Sequence, residues 1–502
     1  MDNLVMKFMM LSLLLFVHHG TASTIKEATI EGIHKAFKAN ELTSRRLVEF
    51  YLNRTRVLNP QLHAVLELNP DALSQADEAD KKRLDHHGGS SSGLQGIPVL
   101  LKDTIATTGR MNTTAGSLAL VGSVVPRDAG VVAKLKVAGA IILGKASLSE
   151  WSYFRSSEAP NGWCGRGGQG KNPYVLSADP CGSSSGSAIA VAANMVMVSL
   201  GTETEGSIIC PSSANSVVGI KPTLGLTSRS GVIPLSPRQD TIGTVTDAVH
   251  VLEAIVGLDL RDEATRKASK FIPVGGYRQF LKADGLKGKK LGILKNFFDF
   301  SEEPVLNETF VRHFATFRRE GATLVENLVL ANESTIMDFE ASGQETAILA
   351  EFKLYLNQYL LELHQSPVRS LADIIAFNNN HPVEEKIKEW PQDIFANVER
   401  TNGIGEAERL ALRKMERLSR NGIERLMEEK SLDAILTPAS GCGTILAIGG
   451  YPGISVPAGY DQDGIPIGLC FGGLKGSEPK LIEMAYSFEQ ATKVRKPPAF
   501  KP

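Results

Sequence analysis

The chain has 502 residues, 42% of them hydrophobic and 22% charged, with a formal net charge of −1. That length and apolar share are enough for a large buried core. The near-neutral balance excludes both the basic excess of a nucleic-acid binder and the acidic run of a disordered tail.

The first stretch reads as an address. After Lys7, the run Phe8 to Val17 is apolar but too short to span a bilayer comfortably, and small residues follow at Thr21-Ala22-Ser23. This pattern predicts a signal peptide over 1–23 and a secreted or endomembrane protein. Secretion gives meaning to the glycosylation sequons at Asn53, Asn112, Asn307 and Asn332. Five cysteines is an odd number, so at least one stays unpaired within the chain, and none shows metal-type spacing. A disulfide involving Cys164 or Cys181 suits this compartment, with the pairing left open. No later run is long and apolar enough for a transmembrane helix.

Ile25 to Leu58 carries helical patterning, with a turn near Asn40 and Thr43 placed to cap a second helix. Asp71 to Leu84 reads as a charged helix, and His86 to Gly93 as a surface loop whose histidine pair lacks a third metal ligand nearby. Leu94 to Leu101 is an expected strand that delivers Lys102. Asp128 to Val137 follows as a helix and Ala140 to Leu143 as a buried strand. Gly139 to Ala146 nearly matches a phosphate loop, but its middle is an apolar strand and Ala146 has no hydroxyl for magnesium. Gly162 to Pro180 reads as a loop draped over a site.

Two hydroxyl-rich loops then bracket one rigid element. The first is Asp179 to Ser187 (DPCGSSSGS), the second Gly201 to Ser207 (GTETEGS), and Ala188 to Leu200 between them reads as a buried helix leading into a short strand. Short strands and turns follow over Gly225 to Pro237, then a strand over Gly285 to Leu294. Pro304 to Gly321 and Glu345 to Leu363 are amphipathic helices, and Gly321 to Lys430 is expected to be mostly helical. Asp433 to Pro438 and Ile454 to Pro457 are buried strands, and Glu478 to Ala491 is a closing helix. Strands alternate with helices and no repeat appears, which predicts an α/β fold with a mixed central sheet flanked by helices on both faces.

The chemistry lies in the loops. Glycine lets backbone N–H groups approach a ligand closely, and serine supplies a nucleophile once a base takes its proton. Lys102, at the end of an apolar strand, is such a base, because desolvation favours its neutral amine. Gly182-Ser183-Ser184-Ser185-Gly186 also matches the nucleophile-elbow pattern, which would nominate Ser184. That motif needs a strand immediately before it, and Leu176 to Cys181 does not read as one.

This order resembles the amidase signature family: a strand-end Lys-Asp at Lys102-Asp103, a GGSSGGS-like loop, then a GT-x-x-G-G-S-like loop. The resemblance covers nearly all of the chain after the leader and is strongest to plant amidase-family hydrolases. It implies one α/β domain over 24–502, with core segments 94–260 and 430–495 and a helical substrate-shaping region near 300–430. It implies Ser207 as nucleophile, Ser183 after a cis peptide bond as proton relay, and Lys102 as base. Backbone N–H groups of Thr204, Glu205, Gly206 and Ser207 would hold the oxyanion. It also implies hydrolysis of a small-molecule amide by a monomer or homodimer, without cofactor, metal or nucleic acid.

The chain departs from the family's pattern in three places, one being Ile208-Ile209-Cys210, where members often carry an arginine shortly after the nucleophile. Glu205 stands where the family usually has Gly or Asp, and Asp240 to Asp247 (DTIGTVTD) lacks the Pro-x-x-Arg that usually follows its glycine. The last two departures motivate an alternative, a catalytically impaired member kept for binding. A further alternative is a transamidase like the glutaminase-type subunit of an aminoacyl-tRNA amidotransferase, which would need partner subunits and an organellar address.

Overall fold

Apolar and β-branched runs pair into one eleven-stranded sheet in the computed structural model, which describes residues 25–85 and 93–502. The expected signal peptide and the His86-His87 pair lie outside the described residues. In chain order the strands are β1 (Val65–Leu68), β2 (Pro98–Lys102), β3 (Ile141–Ala146), β4 (Trp163–Cys164), β5 (Gly168–Gln169), β6 (Val198–Glu203) and β7 (Gly219–Lys221). They continue with β8 (Thr241–Val245), β9 (Lys290–Leu294), β10 (Thr323–Leu328), β11 (Ala434–Pro438), β12 (Gly453–Tyr460) and β13 (Pro466–Gly472). β4 and β5 form a separate ribbon, and the others run β1-β3-β2-β6-β8-β7-β12-β13-β11-β9-β10.

The sheet is mixed, as expected. β3, β2 and β6 are parallel neighbours, as are β11, β9 and β10, and every pairing from β6 across to β11 is antiparallel. Parallel strands covered on both faces read as continuous apolar runs, and β2 and β3 are buried at every position. β3 takes up all but the first two residues of the stretch that mimics a phosphate loop; Lys145 there donates to Ile105 O at 2.6 Å and Thr113 Oγ1 at 2.8 Å.

The helices follow their local signals. Thr43 caps Ser44–Leu62 by accepting from Arg46 N at 3.1 Å, and Ser185–Ala192 is buried along its whole length. Four strands depart from expectation, β4 and β5 forming a two-residue ribbon within the stretch expected as loop. β10 lies inside the stretch expected to be helical and pairs with β9 at the sheet edge, so it stays partly exposed. β13, rich in glycine and opening on a proline, is buried between β12 and β11.

β8 keeps full register with β6 and pairs with β7 despite the missing Pro-x-x-Arg. The chain then turns through Thr246 (φ 54°) and Asp247 (φ 45°) directly into the helix Ala248–Ile255. Cys181 is bonded to Cys210 and Cys442 to Cys470, whereas Cys164, expected as a disulfide candidate, is free and buried. Among the described residues, no helix is long and apolar enough to cross a membrane.

Candidate active site

The parallel strands β2 and β6 end side by side, and their ends carry the candidate residues. Lys102, the last residue of β2, has no solvent exposure. Its Nζ donates to Ser183 Oγ at 2.7 Å and to Thr202 O, near the end of β6, at 3.2 Å. Burial lowers its pKa from the ordinary 10.5 to about 7, against the opposing pull of the Asp240 and Glu203 carboxylates. A lysine held near neutrality in this way is partly unprotonated and able to accept a proton.

Ser183 sits one residue before the helix cap at Ser184, and the Gly182–Ser183 peptide bond is cis. Ser183 O accepts from Ser149 N at 3.0 Å, which fixes the loop against the segment after β3. Just inside the helix, a Cβ on Gly186 would stand 2.4 Å from Ser147 O and 2.5 Å from Ala64 O. Only glycine lets the helix approach that backbone so closely. Ser184, the elbow alternative, spends its hydroxyl on β6: Oγ donates to Thr202 O at 3.0 Å and accepts from Thr202 N at 3.2 Å. Among the described residues, no strand leads into it.

The second loop closes beside the first. Ser207 is half-buried, just before the helix Ile209–Ala214, and its carbonyl accepts from Ser184 N at 3.1 Å. Thr204, Glu205 and Gly206 lead into it, with Gly206 at φ 72°, a left-handed conformation that glycine adopts without strain. Glu203 braces the turn, its Oε2 accepting from Ile208 N at 2.6 Å and Ile209 N at 2.9 Å. The Cys181–Cys210 bond ties the approach to one loop to the exit from the other.

Three residues at this site have no role legible in the sequence. Asp240 is buried, accepts from Thr204 Oγ1 at 2.6 Å, and also accepts from Leu235 N at 2.8 Å and Ser236 N at 2.9 Å. Burial raises its carboxyl to about 6 against those hydrogen bonds. Its place in the stretch that lacks Pro-x-x-Arg is the only sequence signal for it. Glu203 is the second, visible only as an acid within the second loop. Thr444 is the third, donating its hydroxyl to Glu205 Oε1. Burial raises the Glu205 carboxyl, Thr444 opposes that, and Glu203 adds to it. Beside this wall lies a cavity of about 250 Å³, lined by Thr202, Thr204, Arg229, Asp240, Tyr355 and Tyr359, the tyrosines coming from the helix Gln344–Glu362.

A family model described as Amidase matches residues 46–447. Probable amidase At4g34880 of Arabidopsis thaliana is 60% identical over 481 residues, covering 95% of this chain and 92% of its own. The X-ray structure of native peptide amidase from Stenotrophomonas maltophilia matches with a TM-score of 0.86 at 41% identity, over 94% of this chain and 98% of that one. A glutamyl-tRNA(Gln) amidotransferase subunit of Thermoanaerobacter pseudethanolicus is 31% identical, over 94% of this chain and 97% of its own.

Proposed function

The chain belongs to the amidase family, and on that premise we propose that it hydrolyses the C–N bond of a linear carboxylic amide through Ser207, Ser183 and Lys102. Neutral Lys102 takes the Ser183 proton while Ser183 takes that of Ser207, and Ser207 Oγ attacks the amide carbonyl. The developing oxyanion is held by backbone N–H groups of Thr204 to Ser207. Collapse expels the amine, which leaves with the proton returned along the same relay. Water, activated by the relay, then cleaves the acyl-enzyme to a carboxylate. This is a serine–lysine form of triad logic, defined by roles rather than by chain order.

The observation that most supports this is the 2.7 Å hydrogen bond from a fully buried Lys102 to Ser183. Because a solved relative at 41% identity is a peptide amidase, peptide amides head the substrate panel, followed by fatty-acyl and aryl amides. The test is labelling of the purified protein with a fluorophosphonate, alongside Ser207→Ala and Lys102→Ala. Labelling that both substitutions abolish supports the assignment, and labelling that survives Ser207→Ala overturns the nucleophile. A folded protein that neither labels nor turns over any amide would favour the impaired alternative suggested by Glu205. Release of ammonia from glutamine, with no turnover of other amides, would favour the transamidase alternative.

The proposed address is the secretory route. Two disulfides support it, since such bonds persist in oxidising compartments. Of the sequon asparagines, Asn53, Asn307 and Asn332 are exposed, while Asn112 donates to Glu67 and accepts from Gly122 N at 2.9 Å. Glycans are therefore expected on the exposed three in preference to Asn112.

A further inference from the structure

A cavity of about 460 Å³, larger than the one beside the site, opens where β6 begins rather than where it ends. The strand separates the two by about 20 Å at roughly 3.3 Å per residue. Its floor is apolar, formed by Met197, Ile220, Ile454, Val456, Ile482 and Ala485. Its lining carries four carboxylates, Glu27, Glu31, Asp247 and Glu489, against one arginine, Arg495. Asp247 lies at the tight turn after β8, and Glu489 faces it from the closing helix Glu478–Thr492. Asn194 also lines the cavity; it is 7% exposed, and its Oδ1 has no hydrogen-bond partner.

A buried amide oxygen without a partner incurs a desolvation penalty that a donor would relieve. Two carboxylates beside apolar walls want a cation for the same reason, and burial raises both above their ordinary range. The cation in the lining, Arg495, pairs with Glu27 and donates to Ser216 O at 3.0 Å, and its charge pulls against the rise at Glu489 without cancelling it. His250 lies 3.9 Å from Glu31 and pulls against the rise at Asp247, which burial outweighs. Asp247 Oδ2 accepts from Ile30 N at 2.9 Å.

We propose that this cavity is a binding site for a small primary amine with an apolar body, its ammonium held between Asn194, Asp247 and Glu489 and its body on the Met197–Ile454 floor. The volume falls within the range of small-molecule pockets. An anion would meet two carboxylates, and a bare metal ion would leave the apolar floor unfilled.

The test is calorimetric titration of the purified full chain with 2-phenylethylamine, compared with 2-phenylethanol, which keeps the body and lacks the charge. One-to-one saturable binding of the amine is expected, with the alcohol weaker by roughly tenfold or more, as for a lost charged hydrogen bond. Glu489→Gln should weaken the amine by a similar factor, and Ala485→Leu should weaken both ligands by filling the floor. No saturable binding, or equal affinity for amine and alcohol, would overturn the proposal. So would amine binding unchanged in both variants, which would locate it elsewhere, the amide-cleaving site included. The amine–alcohol comparison uses only the unaltered protein, so it does not depend on how the variants fold.

Discussion

In the proposed mechanism Lys102 sets opposing demands on stability and chemistry. Its folded-state pKa of about 7 lies below its ordinary 10.5, so between those values the unfolded chain binds the extra proton and stability rises with pH. Below about 7 both states are protonated and the burial penalty is complete. Lys102→Met should therefore raise the melting temperature at pH 7, and the gain should shrink as pH is raised toward 10; thermal scans across that range read it directly. The same substitution should lower kcat by about 10³-fold or more, the scale of a lost general base. For the intact enzyme, kcat/KM should climb about tenfold per pH unit below 7 and level off above it as the Lys102 amine becomes neutral. A flat profile from pH 5 to 8 would exclude Lys102 as the base.

At the scale of elements, the serine helix shows how closely the site is set by backbone packing. Ser185–Ala192 rests on the carbonyls of Ser147 and Ala64 at Gly186, where a methyl group would stand inside contact distance. Gly186→Ala should destabilise by about 1–3 kcal/mol, the usual range for overpacking. It should also reduce kcat more than it raises KM, because Ser183 and Ser184 lie at that helix's start; melting curves and steady-state kinetics separate the two effects. The serine helix was legible in the sequence because its small apolar residues are local. The cap at Thr43 and the strand end at Lys102 were legible for the same reason. β10 was not: Glu326 and Asn327 interrupt its apolar run, and only pairing with β9 at the edge makes it a strand. β13 was hidden by Pro466, Gly468 and Gly472, whose weak intrinsic preference is overridden by partners on both sides. Asp240 and Thr444 escaped because their roles depend on partners supplied by tertiary folding. Thr444 reaches Glu205 across more than two hundred residues of chain.

At the scale of the molecule, the helical region is fastened to the sheet-bearing core by a buried cation. Arg155, 1% exposed, meets Glu150 at 2.5 Å and Glu385 at 3.1 Å, and donates to Trp390 O at 3.1 Å. Glu385 also accepts from Leu118 N at 2.9 Å. Burial raises the Glu150 carboxyl well above its ordinary range, the facing Glu385 adds to this, and Arg155 opposes it. Arg155→Met would leave two buried carboxylates facing each other, and should cost about 3–5 kcal/mol in denaturant unfolding, as for a broken buried ion pair. The disulfides act at the same scale, since Cys442–Cys470 holds the segment before Thr444 against β13. Mild reduction of the native protein should lower amide turnover before it lowers helix content, which parallel activity and circular-dichroism measurements would detect.

The order of strands has a consequence for how the chain is made. β7 is complete by Lys221, yet the neighbour on its outer side is β12, which begins at Gly453. Through more than two hundred residues of translation, that edge of the half-built sheet has its permanent partner still unmade. An open strand edge invites pairing with other chains. Lys221 is left waiting as well: it is fully buried at the end, and its Nζ donates to Tyr451 O at 2.5 Å. A nascent chain stopped before β12 thus carries an unpaired edge and a lysine whose carbonyl partner has barely emerged. Truncation after Pro452 should give aggregate on synthesis even though Lys102, Ser183 and Ser207 are all present, and a sedimentation assay of released chains of increasing length would locate the point at which solubility returns.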